Sequence, residues 1–286
     1  MINVIIQNTL FGIVTGSILV VGTLGFVMTE RLDGFINIGH GQFLAIGAYL
    51  TYWFCQGLSF SFVLSAIIAV LLTAIIALCI NKVFFKPMHR FGVIPLIVTS
   101  IGLGGFLNGA VEFFGGPDPH SFNLSVHKVI KVSEISLLSK DFFYIILIGV
   151  VFIVIVHLFL QNTKIGKAFR AVSSNRELAI IKGIDLDFLS NYTWLFAGAT
   201  GAIAGILLGV VGNLTPDMGW GQTMIIMSVA VVAGMGNVYG IMIASFIVGI
   251  TMDLGILVFP SGYRPALAFA IMIIVLLIKP KGIFAK

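Results

Sequence analysis

Apolar residues occupy this chain in nine runs, which short polar or charged stretches separate. Most runs hold about twenty residues, the length that an α-helix needs to cross the ~30 Å hydrocarbon core of a bilayer. The runs are 4–28, 35–56, 60–81, 92–114, 142–160, 191–212, 222–236, 241–259 and 264–279. The pattern predicts an all-α, polytopic transmembrane helical bundle that forms one domain over residues 1–286.

Two of these runs are uncertain as complete crossings. Run 222–236 is short, and run 35–56 begins with a polar stretch rich in glycine over residues 37–42. A polar break at membrane depth is typical of a broken or re-entrant helix. The sequence therefore leaves eight or nine spans open.

Basic residues are distributed unequally between the two sides that alternating spans define. One side receives Arg31, loop 82–90, loop 161–190 and the tail after residue 278, and thus 12 of the 16 basic residues. Cytoplasmic loops of membrane proteins carry such an excess of Lys and Arg. This side is therefore predicted to be cytoplasmic, with the N-terminus outside and the C-terminus inside if all nine runs cross.

The composition excludes a soluble protein. Hydrophobic residues make up 59% of the chain and charged residues 9%, and the mean hydropathy is +1.12. A soluble domain carries about 25% charged residues. The first run has no positively charged start and no cleavage signal, so we expect it to be retained as a span.

The order of the runs suggests an internal repeat. Run 142–160 separates the first four runs from the last four, so each run of the second set crosses opposite to its counterpart. This is the arrangement of an inverted-topology repeat, which is common in transporters. Residues 39–42 (GHGQ) also resemble residues 234–237 (GMGN), although paired glycines are frequent in a glycine-rich membrane protein.

Catalytic motifs are absent from the sequence. It has no nucleophile elbow, no zinc-binding spacing and no Walker loop. We therefore expect neither enzymatic activity nor a cofactor or metal. If ATP drives this protein, another subunit must hydrolyse it.

The polar break gives the first candidate site. Glycines that interrupt a helix expose backbone polar groups, which membranes tolerate only inside protein or beside a wet cavity. The predicted substrate pathway therefore contains the residues of this break and of the similar later segment, namely Asn37, His40, Gly41, Gln42, Gly234, Gly236 and Asn237. The alternative is that His40 and Gln42 simply form hydrogen bonds with neighbouring helices.

Glu112 and Asp253 are the acidic residues within predicted spans. An unpaired carboxylate in hydrocarbon is costly, so each is either paired or functional. Asp253 lies near the outer end of its run, where Arg264 can approach it. We favour a structural ion pair over a proton-coupling site.

Loop 161–190 is long and charged for a simple connection. Its middle, residues 176–182, predicts a short amphipathic helix that stops at Gly183, with Leu178 and Ile181 on one face. Such a helix either docks a cytoplasmic partner or lies among lipid headgroups.

Four segments resemble the permeases of branched-chain amino-acid ABC transporters. Residues 32–43 (LDGFINIGHGQF), followed by 46–49 (IGAY), resemble the family's G-x-I-N-x-A-H-G-E-F and G-A-Y segments. Residues 170–185 resemble its cytoplasmic coupling loop, with the E-x-A-x-x-x-G spacing kept by Glu177, Ala179 and Gly183. Residues 231–240 and 278–284 resemble its glycine-rich stretch and its R-P-x-G-L-F tail.

Three positions depart from the family pattern. The family has two permease types, and the length of this chain favours resemblance to the shorter one. Gln42 stands where that shorter type usually has Glu, Leu178 replaces an Ala and Ala233 replaces a Gly. The change at residue 42 leaves urea or short amides open as substrates, because their permeases resemble the same family.

The resemblance implies a multi-pass protein of the bacterial inner membrane that forms the pathway of an ABC importer for branched-chain or other hydrophobic amino acids. It implies as partners a sister permease, two cytoplasmic ATPase subunits and a periplasmic binding protein, in addition to membrane lipid and with no nucleic acid. The ATPase-coupling residues that it implies are Arg176, Glu177, Ala179 and Gly183. An ion-coupled secondary transporter that uses Glu112 or Asp253 is the competing function, and a passive channel ranks third.

Overall fold

The computed structural model describes residues 2–123, 131–132, 135–136, 140–234 and 237–284, and within them the chain is almost entirely helical. The helices are α1 (Ile2–Asp33), α2 (Gln42–Gly57), α3 (Phe62–Ile80), α4 (Lys86–Met88), α5 (Val93–Gly115), α6 (Lys140–Asn162), α7 (Lys164–Ser174), α8 (Arg176–Ile181), α9 (Leu186–Val211), α10 (Met218–Ala233), α11 (Val238–Gly255) and α12 (Arg264–Ile278). Two short strands, β1 (Lys131–Val132) and β2 (Ile135–Ser136), pair antiparallel. The predicted all-α, polytopic bundle is confirmed.

Seven helical segments in the described residues are long and apolar enough to cross a bilayer. They are Asn3–Asp33, Phe62–Phe91, Val93–Gly115, Lys140–Asn162, Leu186–Val211, Val238–Gly255 and Ser261–Ile278. The two runs that the sequence left uncertain form the shorter helices α2 and α10, each of 16 residues. Run 35–56 is broken as predicted, because its first residues form an extended segment and a 3₁₀ turn before α2 begins.

Segment 82–90, expected to be a loop, is helical. Helix α3 continues through a π-helical turn, Asn81–Phe85, into α4 and then into a 3₁₀ turn, His89–Phe91. Gly92, with φ of +95°, ends this extension just before α5. Only glycine adopts this backbone conformation at low cost, so the chain can reverse there.

Polar contacts gather the predicted cytoplasmic segments at one end of the bundle. The Arg31 guanidinium donates to the carbonyl of Ser173 at 2.8 Å, and the Lys86 ammonium lies 2.7 Å from the carboxylate of Asp187. At the opposite end, His120 and Leu214 pair through their backbones. These contacts place Arg31, segment 82–90 and segment 161–190 on the same side of the bundle, as the distribution of basic residues predicted.

The helix contacts are reciprocal in the way that an inverted repeat requires. Helices α1 and α9 hold equivalent places in the two predicted halves, as do α3 and α11. Gly198 of α9 packs against α3, and Gly16 of α1 packs against Gly249 of α11. The pairs α2–α9 and α10–α1 also correspond, as do α2–α5 and α10–α12. Small residues at these crossings let the backbones approach closely, which stabilises helix packing in lipid.

Candidate functional site: a buried turn at membrane depth

The site begins where α1 ends. Gly34, with φ of +74°, turns the chain away from the helix axis, and an extended segment leads to Asn37. The Asn37 side chain accepts a hydrogen bond from the backbone N–H of Gly39 at 3.1 Å and so starts the 3₁₀ turn Ile38–Gly41. We call these four residues the buried turn. Asn is well suited here because its short side chain caps the first exposed N–H groups of a helix.

Hydroxyl groups from two helices hold the buried turn on either side. The Ser100 hydroxyl of α5 accepts from the N–H of Ile38 at 3.1 Å, and the Thr223 hydroxyl of α10 accepts from the N–H of Gly41 at 3.0 Å. Both bonds satisfy N–H groups that a helix start leaves open. The buried turn is thus wedged between α5 and α10.

Glycines allow this wedge to form. The Gly39 backbone lies against Gly104 and Ser100 of α5, while Gly41 lies against Gly219 and Thr223 of α10. A Cβ atom at Gly41 would overlap the Thr223 hydroxyl and the carbonyl of Gly219. Close approach, rather than backbone freedom, therefore explains glycine at these positions.

His40 lies at the centre of the turn and is fully buried. Its Nε2 lies 3.2 Å from the carbonyl oxygen of Gly22, and because that oxygen can only accept, Nε2 carries the hydrogen. Phe26 and Phe43 contact the imidazole edge-on. The other ring nitrogen, Nδ1, is a buried acceptor without a hydrogen-bond partner in the described part of the chain.

Gln42 is the first residue of α2 and is also fully buried. Neither its amide nitrogen nor its amide oxygen has a hydrogen-bond partner among the described residues. Leaving a buried polar group unpaired costs about 1–3 kcal/mol. The Gln42 amide and the His40 Nδ1 are therefore free to form hydrogen bonds with a bound molecule, or with protein groups that move to this position.

The depth of these groups follows from the Gly22 contact. Gly22 lies 11 residues before Asp33, the cytoplasmic end of α1, and a helix rises 1.5 Å per residue, so it is about 16 Å from that end. This is roughly half of the ~30 Å hydrocarbon thickness. The buried turn thus lies near the middle of the bilayer, where transporters place their binding sites.

The second predicted cluster lies elsewhere. Helix α10 ends at Ala233, Gly234 has φ of +89°, and the Asn237 side chain caps α11 by accepting from the N–H of Gly240 at 3.0 Å. The Asn237 amide also donates to the carbonyl of Phe284 in the C-terminal tail at 2.6 Å. Gly236 lies outside the described residues.

The two clusters are separated along α10. Thr223, which contacts the buried turn, and Gly234 are 11 residues apart, or about 16 Å of helix. The structure therefore brings Asn37, His40, Gly41 and Gln42 together and leaves Gly234 and Asn237 near the cytoplasmic end. A pathway role for the second cluster stays a prediction.

The cytoplasmic segment 161–190 contains two helices. The predicted helix is present as α8, which begins after the Asn175 cap and stops before Gly183, where φ is +80°. Helix α7 was missed, because its three basic residues obscure a pattern that buries Phe169 and Val172.

Helix α8 is attached to α1 and exposes apolar side chains. Arg176 donates to the carbonyl of Leu32 at 2.9 Å, and Ala179 is buried. Leu178 and Ile181, which were predicted to share a face, are 51% and 78% exposed. Glu177 is exposed as well. An exposed apolar face next to charged residues is typical of a surface that binds another protein.

Asp253 is paired, as the sequence favoured. Its carboxylate lies 2.5 Å from the Arg264 guanidinium and accepts from the Thr15 hydroxyl at 2.6 Å. Glu112 is exposed near the outer end of α5.

Sequence reasoning did not find the partners of the buried turn, Gly22, Ser100 and Thr223. It also did not find Trp194, whose indole N–H donates to the Asp33 carboxylate. Asp33 was the one signal in the sequence for this contact. An acidic residue that is buried at the end of a long apolar run needs a hydrogen-bond donor.

A polytopic helical bundle with a polar break at mid-membrane depth is the architecture of a membrane transport protein. The family described as branched-chain amino acid transport system / permease component matches residues 8–276. The chain belongs to this family of permeases, and it is a multi-pass protein of the bacterial inner membrane.

Individual relatives align over nearly their whole length. The chain is 27% identical to the high-affinity branched-chain amino acid transport system permease protein LivH of Escherichia coli K12, over 98% of this chain and 96% of the relative. It is 25% identical to the corresponding protein BraD of Pseudomonas aeruginosa, with the same coverage. Among solved structures, PsaBC from Streptococcus pneumoniae in complex with Fab has a TM-score of 0.52 and 17% identity, over 97% of this chain and 92% of that one, which shows a shared fold.

Proposed function

We propose that this chain forms the translocation pathway of an ABC importer for branched-chain or other hydrophobic amino acids. The family match over residues 8–276 carries this proposal. LivH and BraD are branched-chain amino acid permeases, and the similarity to them covers 98% of this chain.

The pathway subunit works with other subunits in this proposal. These are a sister permease, two cytoplasmic ATPases and a periplasmic binding protein that delivers the substrate. The sequence contains no Walker loop, so ATP hydrolysis is assigned to the ATPase subunits. The exposed apolar residues of α8 support an ATPase docking surface, because burying them against a partner is favourable.

Motion passes from α8 to the buried turn through α1. Arg176 fixes α8 to the end of α1, and the carbonyl of Gly22 in α1 accepts the hydrogen bond from His40. When the ATPase subunits close and move α8, α1 shifts relative to α10 and α5. The buried turn then opens alternately towards each side, since its hydroxyl partners Ser100 and Thr223 lie on two different helices.

Urea or a short amide is the second candidate substrate. The observation that favours it is Gln42, whose buried amide is unpaired among the described residues and can exchange hydrogen bonds with another amide. The same polar atoms can also form hydrogen bonds with the ammonium and carboxylate groups of a free amino acid.

Competitive uptake distinguishes these substrates. The complex, co-expressed from neighbouring genes in cells that lack their own amino-acid importers, is supplied with labelled leucine and an excess of unlabelled leucine, alanine or urea. We expect leucine to compete at least tenfold better than urea. A parallel assay supplies labelled urea, and urea uptake that excess leucine does not reduce would contradict the amino-acid proposal.

A further inference from the structure

A cavity of about 350 Å³ lies at the depth of the outer third of the ~30 Å hydrocarbon core. Helices α1, α9, α10 and α11 and the start of α12 form its walls. Its α1 lining extends from Thr15 to Leu19, which are 18 and 14 residues from Asp33, or about 27 and 21 Å above the cytoplasmic end. We call it the outer cavity.

The lining of the outer cavity is amphipathic. Branched and flexible apolar side chains form most of it, among them Ile18, Leu19, Leu208, Ile225 and Met252. This wall is suited to an aliphatic group rather than to a charged molecule.

Arg264 supplies a cation beside this apolar wall. One guanidinium nitrogen is engaged with Asp253 at 2.5 Å and with the Thr15 hydroxyl at 3.2 Å. The Nε atom of the same side chain is buried and has no hydrogen-bond partner in the part of the chain that the structure describes. A guanidinium with an unused donor can form a further charge-assisted hydrogen bond with a carboxylate. Gln222 and Ser261 also line the outer cavity and offer oxygen acceptors for an ammonium group.

The outer cavity lies directly outside the buried turn. Leu19 precedes Gly22, the partner of His40, by three residues, which is about one helical turn. Gln222 is adjacent to Thr223, the partner of Gly41. The outer cavity is therefore adjacent, along α1 and α10, to residues that hold the buried turn.

We propose that the outer cavity is a binding site for a single hydrophobic amino acid, with its carboxylate on Arg264 and its side chain against the apolar wall. This inference rests on the proposed function and adds to it a site that holds substrate outside the buried turn. The volume suits one such molecule, since it lies at the lower end of the ~300–1,000 Å³ range of small-molecule sites.

Photo-leucine tests the site directly, because its diazirine loses nitrogen under light and the resulting carbene inserts into a nearby bond. The assembled complex in nanodiscs is labelled without binding protein, with or without excess leucine, and the labelled peptides are identified by mass spectrometry. We expect labelling on peptides that contain residues 15–19, 208–211 or 252–265, reduced at least fivefold by leucine. Arg264→Gln should reduce it to a similar extent.

A cavity-filling pair of variants separates binding from folding, because Arg264→Gln also breaks the contact with Asp253. Val211, at the end of α9, lines the outer cavity and is 43% exposed, while Val154 of α6 is 50% exposed and lies outside the cavity lining. Val211→Trp should abolish the competed labelling, and Val154→Trp should leave it unchanged.

Two results would overturn the inference. One is labelling that leucine does not reduce or that falls outside these peptides, and the other is a phospholipid that native mass spectrometry finds retained by the wild type and released by Val211→Trp. In either case normal ATP-driven leucine uptake would leave the proposed function standing. Absence of leucine uptake by the wild-type complex would instead refute the proposed function.

Discussion

The indole N–H of Trp194 donates to the carboxylate of Asp33 at 2.6 Å, and this bond joins α9 to the cytoplasmic end of α1. Both residues are buried, and Asp33 also accepts from the Ser190 hydroxyl at 3.3 Å. The indole stacks on Phe85, with ring centroids 4.8 Å apart, and contacts Phe43 edge-on. Because Phe43 in turn contacts His40, these residues connect the cytoplasmic end of the bundle with the buried turn.

Trp194→Phe should uncouple transport from ATP hydrolysis. The substitution removes the donor to Asp33 and keeps an aromatic ring, so we expect a loss of about 1–3 kcal/mol in stability and a severalfold lower number of leucine molecules imported per ATP. The measurement is the ratio of uptake to phosphate release in proteoliposomes. Trp53→Phe is the control, because Trp53 contacts Tyr49 and Phe114 at the opposite end of α2. An unchanged ratio in Trp194→Phe would contradict the connection.

Gly41→Ala should block the pathway without preventing insertion. The new Cβ atom would overlap the Gly219 carbonyl and the Thr223 hydroxyl, so α10 must move away from the buried turn. We expect uptake to fall more than tenfold when it is normalised to the amount of protein in the membrane. Gly102→Ala is the matched control, since nothing lies within 4 Å of a Cβ at Gly102. Equal uptake by the two variants would show that the close approach is dispensable.

Gln42→Leu should separate stability from transport. Leucine is similar in size and has no polar group to leave unpaired, so the folded state should be equally stable or more stable by about 1–2 kcal/mol. Uptake should nevertheless fall at least tenfold, because the polar atoms at mid-depth are lost. Thermal unfolding in detergent and uptake by the same preparation provide the two measurements. Normal transport by this variant would assign Gln42 to packing alone.

Ile181→Asp should weaken ATPase docking. Ile181 is 78% exposed on α8, so a carboxylate is tolerated in the free chain but is unfavourable in an apolar interface. Co-purification of the ATPase subunits with the tagged permease should drop at least fivefold while membrane insertion persists. Lys167→Gln, an exposed change on α7, should leave co-purification unaffected. Full recovery of the ATPase subunits with Ile181→Asp would place their docking surface elsewhere.

Run length and charge were sufficient to predict the membrane-spanning helices, their alternation and the break before α2. These properties are local, because each depends on about twenty neighbouring residues. The contacts of His40 with Gly22 and of Gly41 with Thr223 join residues 18 and 182 positions apart, so no local pattern could predict them. The distance between Gly234 and the buried turn could not be predicted either, because it also depends on how residues far apart in sequence pack together.

Segment 82–90 shows a different limit. Its three basic residues indicated a cytoplasmic loop. The contact between Lys86 and Asp187 agrees with this, because it places segment 82–90 on the same side of the membrane as segment 161–190. The helical continuation was missed because charge marks the end of the hydrocarbon region and not the end of a helix. Helices commonly extend beyond the bilayer when their ends contact other elements, as α4 does through the contact of Lys86 with Asp187 of α9.

Labelled leucine uptake into proteoliposomes distinguishes the pathway subunit of an ATP-driven importer from a carrier that works alone. The vesicles contain either the complete complex with its binding protein or this chain alone, each with and without enclosed ATP and each with and without a proton gradient. We expect accumulation only for the complete complex with ATP. Accumulation by the chain alone, driven by the proton gradient and abolished by Asp253→Asn, would contradict it and identify an ion-coupled carrier.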